Sequence, residues 1–388
     1  MKLGVGGFKM HLGILAILII SVIEFTEKPG TIRLAGFFKR NWTLFPFIFY
    51  LIINILFNTS FPGVPITLTY FILGLWVFYF LYNKQSFISD RAILLFQWVL
   101  IGTGLFQSVL FQVFGYQLAF FNAEHYAVDA SFATRLRGFF LEPNWFSIIL
   151  TFNSLLIFLR IGNTIIKYKG LIGLSFLTLL LNGSYGFIGV IILGYVARMF
   201  IDLPKISKRN LLVFILMFIV AGGLILSRNI YKSKLGNATD GQVVSINTGS
   251  RLLPAVRTIL FMSEKTKEEQ VFGLGLGSWP YIGIEENQLG YIGFANVNGG
   301  QLTVKPAQRD SAEFHVFLLE LGYLGILLFL FDYIYNYWHY RRLNMIYSLA
   351  SACMLAAFFV YPVFKFYMYL VPFYLIRTFA VKEDKPEI

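Results

Sequence analysis

A single cysteine, Cys353, stands inside an apolar run, so the chain can form neither an internal disulfide nor a cysteine-based metal site. Charge is also scarce: Asp, Glu, Lys and Arg make up 13% of the 388 residues, against 57% hydrophobic residues and a mean hydropathy of +0.68. That balance excludes a water-soluble surface for most of the chain and makes lipid its solvent. Internal repeats, low-complexity stretches and the matched interrupted helices of a two-halved carrier are not evident either, which disfavours a transporter. The net charge of +12 does not point to nucleic acid, because the basic residues stand in short clusters between apolar segments.

What is abundant is aromatic and aliphatic surface. Forty-three Phe and 22 Tyr exceed what a soluble core needs and suit lipid-facing helices and interfacial belts. A bilayer core of about 30 Å takes roughly 20 apolar residues per helix, and about eleven segments qualify, within a range of about ten to twelve. They lie at roughly 10–24, 43–58, 64–82, 92–113, 143–160, 168–182, 185–200, 210–227, 315–333, 344–361 and 363–380, the last interrupted by Pro372. The expected fold is an all-α integral membrane protein, one polytopic domain over 1–388, with a large loop over 228–312. Lys2 and Lys9 precede the apolar run Leu12–Ile23 without a small-residue cleavage pattern, so a retained first helix is expected.

Orientation follows the basic bias of short loops. Lys39 and Arg40, Lys84 and Arg91, Arg160 and Lys167, Lys205 and Lys208, Arg341 and Arg342, and Lys382 mark one side as cytoplasmic. The alternate connections near Pro62, at Asn182–Gly186 and near Pro362 are almost uncharged and face outward, as by parity do 114–142 and the long loop. Parity also places the N-terminus outside despite Lys2 and Lys9, which leaves a re-entrant first segment or a count different by one.

Polar residues gather at the outer ends of the helices. Arg135 and Arg137 lead into Glu142-Pro143-Asn144, where proline and the preceding acid suit a helix start; Glu142 is a cap on that reading. Two arginines on an outward face are not topological anchors, and their planar forks bind phosphate in a bidentate manner. In the long loop Ser250 can cap a short surface helix with Leu252, Val256 and Leu260 on its apolar face. Arg251 and Arg257 flank it, as solvated or headgroup-touching residues or as phosphate ligands. The alternating glycines Gly273, Gly275 and Gly277 lack the strand and helix of a dinucleotide fingerprint and read first as a tight irregular turn. Asp310 and Glu313 precede His315 at the mouth of a span; there an imidazole is either a polar interfacial residue or a general base. Glu320 lies one turn further in, and Asp332 near the opposite end.

At these residues the chain resembles the O-antigen ligase and polymerase superfamily of bacterial surface-polysaccharide enzymes. Four stretches match in order: Arg137-Gly138 through Pro143-Asn144; Asn182-Gly183-Ser184-Tyr185-Gly186-Phe187-Ile188-Gly189; Ser250-Arg251 with the Gly273, Gly275, Gly277 turn; and His315 with Glu320, Gly322 and Gly325. The resemblance implies a GT-C-like helical glycosyltransferase of the bacterial cytoplasmic membrane, acting on its outer face without cofactor or metal. Its donor would be a polyprenyl-diphosphate-linked glycan, with a chain-length regulator and a flippase as partners. Carried over by position, Arg251 would grip the diphosphate and His315 would activate the acceptor hydroxyl, with Glu142 as the second catalytic candidate. Arg135, Arg137 and Arg257 would be further diphosphate contacts. Asn144, Tyr185, Gly275, Gly277, Asp310 and Glu313 would be supporting positions. Many members carry arginine where this chain has Tyr185, which leaves Arg137 to supply that anchor. The Glu142-Pro143-Asn144 form favours a polymerase over a ligase that hands the glycan to lipid A core. A flippase for the same lipid-linked glycan is the alternative from another class.

Overall fold

The computed structural model describes residues 2–5, 8–27, 34–57, 64–114, 136, 138, 143–161, 168–182, 191, 252–278, 295–298, 301–304, 313–340, 344–360 and 371–383. These residues are predominantly helical. Two short antiparallel hairpins depart from an all-helical reading: β1 (Lys2–Val5) with β2 (Phe8–His11), Leu3 opposite Met10, and β3 (Ala295–Asn298) with β4 (Gln301–Val304), Val297 opposite Leu302. Lys2 and Lys9, basic residues ahead of the first helix, therefore belong to a hairpin.

Helices stand at each expected span that falls among the described residues. They are α1 (Leu12–Glu27), α2 (Leu34–Arg40), α3 (Phe45–Phe57), α4 (Val64–Lys84), α5 (Asp90–Phe114), α6 (Pro143–Ile161), α7 (Lys169–Asn182), α8 (Leu252–Ser263), α9 (Lys267–Phe272), α10 (Glu313–Tyr340), α11 (Met345–Val360) and α12 (Val371–Glu383). Of the expected span at 185–200 only residue 191 is described, and that at 210–227 lies outside the described residues. Two helices, Asp90–Leu110 and Phe314–Tyr340, are long and apolar enough to cross a membrane. Three expectations change in detail. Asp332 is not near the end of its helix, because α10 runs on to Tyr340. Glu320 sits two turns in rather than one. Pro372 lies in the first turn of α12, where a missing amide costs no helical bond.

The chain forms two compact units. The first comprises Met1–Asn83, Ser245–His339 and Ala357–Met368. Here α3 and α10 run antiparallel: the Thr43 hydroxyl donates to the Asp332 carboxylate, Phe47 meets Phe329 at 5.3 Å between ring centroids, and the Tyr50 hydroxyl lies 2.7 Å from the Leu321 carbonyl. The C-terminus of α3 and the N-terminus of α10 thus share one end. Phe47, Phe317, Phe329 and Phe358 form the core through edge and tilted contacts of about 5–6 Å, with Phe47 stacked on Phe317 at 5.8 Å.

The second unit comprises Lys84–Val244, Tyr340–Ala356 and Tyr369–Ile388. Its centre is α5, α6 and α7, which approach closely because α5 presents Gly104: a Cβ there would lie 2.9 Å from both the Phe146 ring and the Thr178 methyl. Buried amides bind the three together. Gln97 donates to Ser154 and Ser175, each at 2.8 Å, and accepts from Asn153 at 2.8 Å. On the opposite face α5 is apolar and uncovered, with Leu95 65% and Val113 66% exposed. A bare apolar face on a helix with a polar, satisfied inner seam suits lipid as its surroundings.

Candidate functional site

Within the first unit the loop glycines and the His315 helix are built into one another. The construction begins with a defect in α10. Gly322 has φ 64° and ψ −170°, which interrupts the i→i−4 ladder, so the carbonyls of the preceding turn take partners from outside the helix. Leu274 N donates to Leu319 O at 2.8 Å and Gly275 N to Glu320 O at 3.1 Å. The Leu321 carbonyl receives the Tyr50 hydroxyl. That hydroxyl also lies 2.9 Å from Phe272 O and, holding one proton, donates to one of the two carbonyls at a time.

The segment that meets this break folds locally for its own reasons. Thr266 and Glu269 form a capping box at the start of α9, the Thr266 side chain accepting from Glu269 N and the Glu269 carboxylate accepting from Thr266 N. Gly273 ends α9 with φ 79°, its amide donating to Glu269 O at 2.8 Å. Asn54, one turn beyond Tyr50 on α3, uses both ends of its amide: Nδ2 donates to Phe272 O and Oδ1 accepts from Leu276 N, each at 3.1 Å. The fit leaves no room for a side chain on either partner. A Cβ on Gly322 would lie 2.5 Å from Gly273 N, and one on Gly273 would lie 2.5 Å from Leu321 N.

The glycine turn is therefore a clasp, not an anion cradle. The amides of Gly273, Leu274, Gly275, Leu276 and Ser278 all donate to protein acceptors, the last to Gly275 O at 3.2 Å. An anion would find these donors occupied, so the irregular-turn reading of the motif prevails over phosphate binding by its backbone. Gly275 and Gly277 shape the turn through positive φ values of 110° and 80°.

His315 lies in the first turn of α10 and is buried at 1% exposure, among Val316 to Leu319 and Glu320, all at 0%. It is an interior histidine, enclosed by protein in the described structure. Arg257 lies within α8 and Glu313 opens α10. Arg251 and Asp310 lie outside the described residues.

In the second unit, α6 begins at Pro143 with Asn144 in its first turn, as the helix-start reading requires. Arg135, Arg137, Glu142 and Tyr185 lie outside the described residues, but the two residues interleaved with the arginines are described and held. Asn182 donates through Nδ2 to Leu136 O and accepts at Oδ1 from the Ser147 hydroxyl at 2.6 Å. Gln107 accepts from Gly138 N at 2.9 Å. These polar groups from α5, α6 and α7 hold the backbone of Leu136 and Gly138.

Sequence reasoning passed over Tyr50, Asn54 and Gln107. The available signal was polarity inside apolar helices: Tyr50 and Asn54 share one face of α3 at i,i+4, and a polar group in such a helix needs an interhelical partner. Among the described residues no three His, Cys, Asp or Glu side chains come together as a metal site. No family model and no curated protein matches the chain, which leaves its own residues to carry the functional reading.

Proposed function

We propose that this chain is a membrane-embedded glycosyltransferase of the polysaccharide-polymerase type. It passes a glycan from a polyprenyl-diphosphate donor to the hydroxyl of a lipid-linked acceptor on the outer face of a bacterial cytoplasmic membrane. One observation carries the reading: two of the four family-like stretches, the Gly273–Gly277 turn and the His315–Gly325 helix, are joined by backbone hydrogen bonds across the break at Gly322. Residues 45 to 49 positions apart in sequence thus owe their glycines to a single junction, which ordinary apolar packing does not require.

The chemistry follows from the residue types. A diphosphate leaving group gathers negative charge, and fixed guanidinium groups stabilise it. Arg251 takes that role. The attacking hydroxyl must lose a proton as it attacks, and His315 takes it; an imidazole matches this task near neutral pH. The glycan's anomeric carbon then bonds to the acceptor oxygen as its bond to the diphosphate breaks.

Turnover by purified protein on a synthetic polyprenyl-diphosphate repeat unit, with chelator present, tests this. His315→Ala is expected to slow turnover by at least about 100-fold, the usual range for loss of a general base. Arg251→Ala should lose a comparable factor. Full activity in both variants, or a strict metal requirement, overturns the assignment.

A further inference from the structure

We propose that the segment from Val271 to Ser278 is a re-entrant element that enters the bilayer, with Val271 and Phe272 in contact with lipid acyl chains rather than with the outer aqueous phase. The placement follows from two independent measures of depth on the antiparallel helices α3 and α10. The loop bonds to Leu319, Glu320 and, through Tyr50, to the level of Leu321. Those positions lie six to eight residues beyond Glu313, or about 9–12 Å along α10 at the helical rise. On α3 the same loop meets Tyr50, seven residues before Phe57, which is about 10 Å from that end. Both helix ends lie at one end of the unit, so the two depths agree.

Non-helical backbone is tolerated at such depth only where the protein satisfies it. Here it does: five consecutive or near-consecutive amides are bonded internally, Phe272 O receives Asn54, and Gly273, Gly275, Leu276, Gly277 and Ser278 are all buried. The outward side of the same segment is apolar, with Val271 40% and Phe272 50% exposed, while Glu264, Lys265, Lys267, Glu268 and the capping Glu269 precede it, the last by two residues. Charged residues before the entry and bare apolar residues at depth form the profile of a chain crossing the headgroup layer.

The inference rests on the membrane reading proposed above, and the experiment separates the two. In a Cys353→Ala background reconstituted into lipid vesicles, nitroxides are placed on Phe272→Cys, Lys267→Cys and Leu327→Cys, the last being a 65% exposed α10 position. Collision rates with oxygen, which concentrates in lipid, and with a water-soluble nickel chelate are compared. Oxygen should dominate at 272 and 327, and nickel at 267. Nickel dominance at 272 with oxygen dominance at 327 overturns the re-entrant loop alone; nickel dominance at 327 removes the membrane reading itself. A second measurement needs no substitution: a lipid-soluble carbene probe should modify Val271 and Phe272 of the wild-type chain and spare 264–268. The reverse pattern also overturns the proposal.

Discussion

Gly322 shows how much structure one missing methyl group permits. A side chain there meets two penalties together, the left-handed φ of 64° and overlap with the Gly273 backbone, and each costs on the order of 1–3 kcal/mol. Gly322→Ala should destabilise the protein by at least about 2 kcal/mol, read from thermal unfolding in detergent. Gly173→Ala is the control: its Cβ would find open space within α7, where alanine is the better helix former by about 1 kcal/mol, so that variant should melt at or slightly above wild type. The two hydrogen-bonding residues of the clasp are distinguishable in the same way. Tyr50→Phe removes one hydroxyl and should cost about 1 kcal/mol, whereas Asn54→Ala strands the buried Leu276 amide and should cost about 2–3 kcal/mol. Because both side chains serve Phe272 O, the double variant should deviate from additivity; strictly additive losses would mean the two bonds are independent. The importance of this glycine was only partly legible in the sequence. Gly322 stood out by resemblance, but a lone glycine in an apolar run gives no sign that it breaks the helix, since the break depends on partners about 50 and about 270 residues away.

The helices themselves were legible because their signal is local. A run of apolar residues long enough to cross hydrocarbon, bounded by charge or proline, needs no tertiary information, and α4, α5 and α6 begin and end within a few residues of where the sequence places them. What the pattern cannot show is which face of a helix meets protein and which meets lipid, as both are apolar. Polar residues settle it here: Gln97, Asn153 and Ser175 are buried between α5, α6 and α7, and Leu95 and Val113 lie on the open side of α5. Gln97→Ala breaks three bonds to the neighbouring helices, and at about 0.6 kcal/mol each in a membrane setting it should cost roughly 2 kcal/mol. Leu95→Ala, on the uncovered face, should stay within about 0.5 kcal/mol of wild type. Equal losses in the two variants would mean that the apolar face is packed against something other than lipid.

The sidedness of the molecule is where charge, helix direction and function meet. In the second unit Arg160, in the last turn of α6, pairs with Asp90 at the start of α5 at 2.9 Å, so those two helix ends lie on one side. Lys84 and Arg91 flank that start, which makes it the basic side, the one the resistance of cationic loops to export would assign to the cytoplasm. In the first unit the shared end of α3 and α10 carries the glycine clasp, while Lys39 and Arg40 precede α3 at the other end. The helix-bearing segment 252–272, with three acidic and three basic residues, then belongs on the side opposite Lys39, where the proposed function expects the lipid-linked donor. The expectation is concrete in a Cys353→Ala background. Lys267→Cys should react with a membrane-impermeant maleimide added to intact spheroplasts, and Lys39→Cys only after the membrane is permeabilised. Reaction of both from outside would place the basic loops and the clasp on one face, and the charge rule would then no longer assign His315 to the outer half of the membrane.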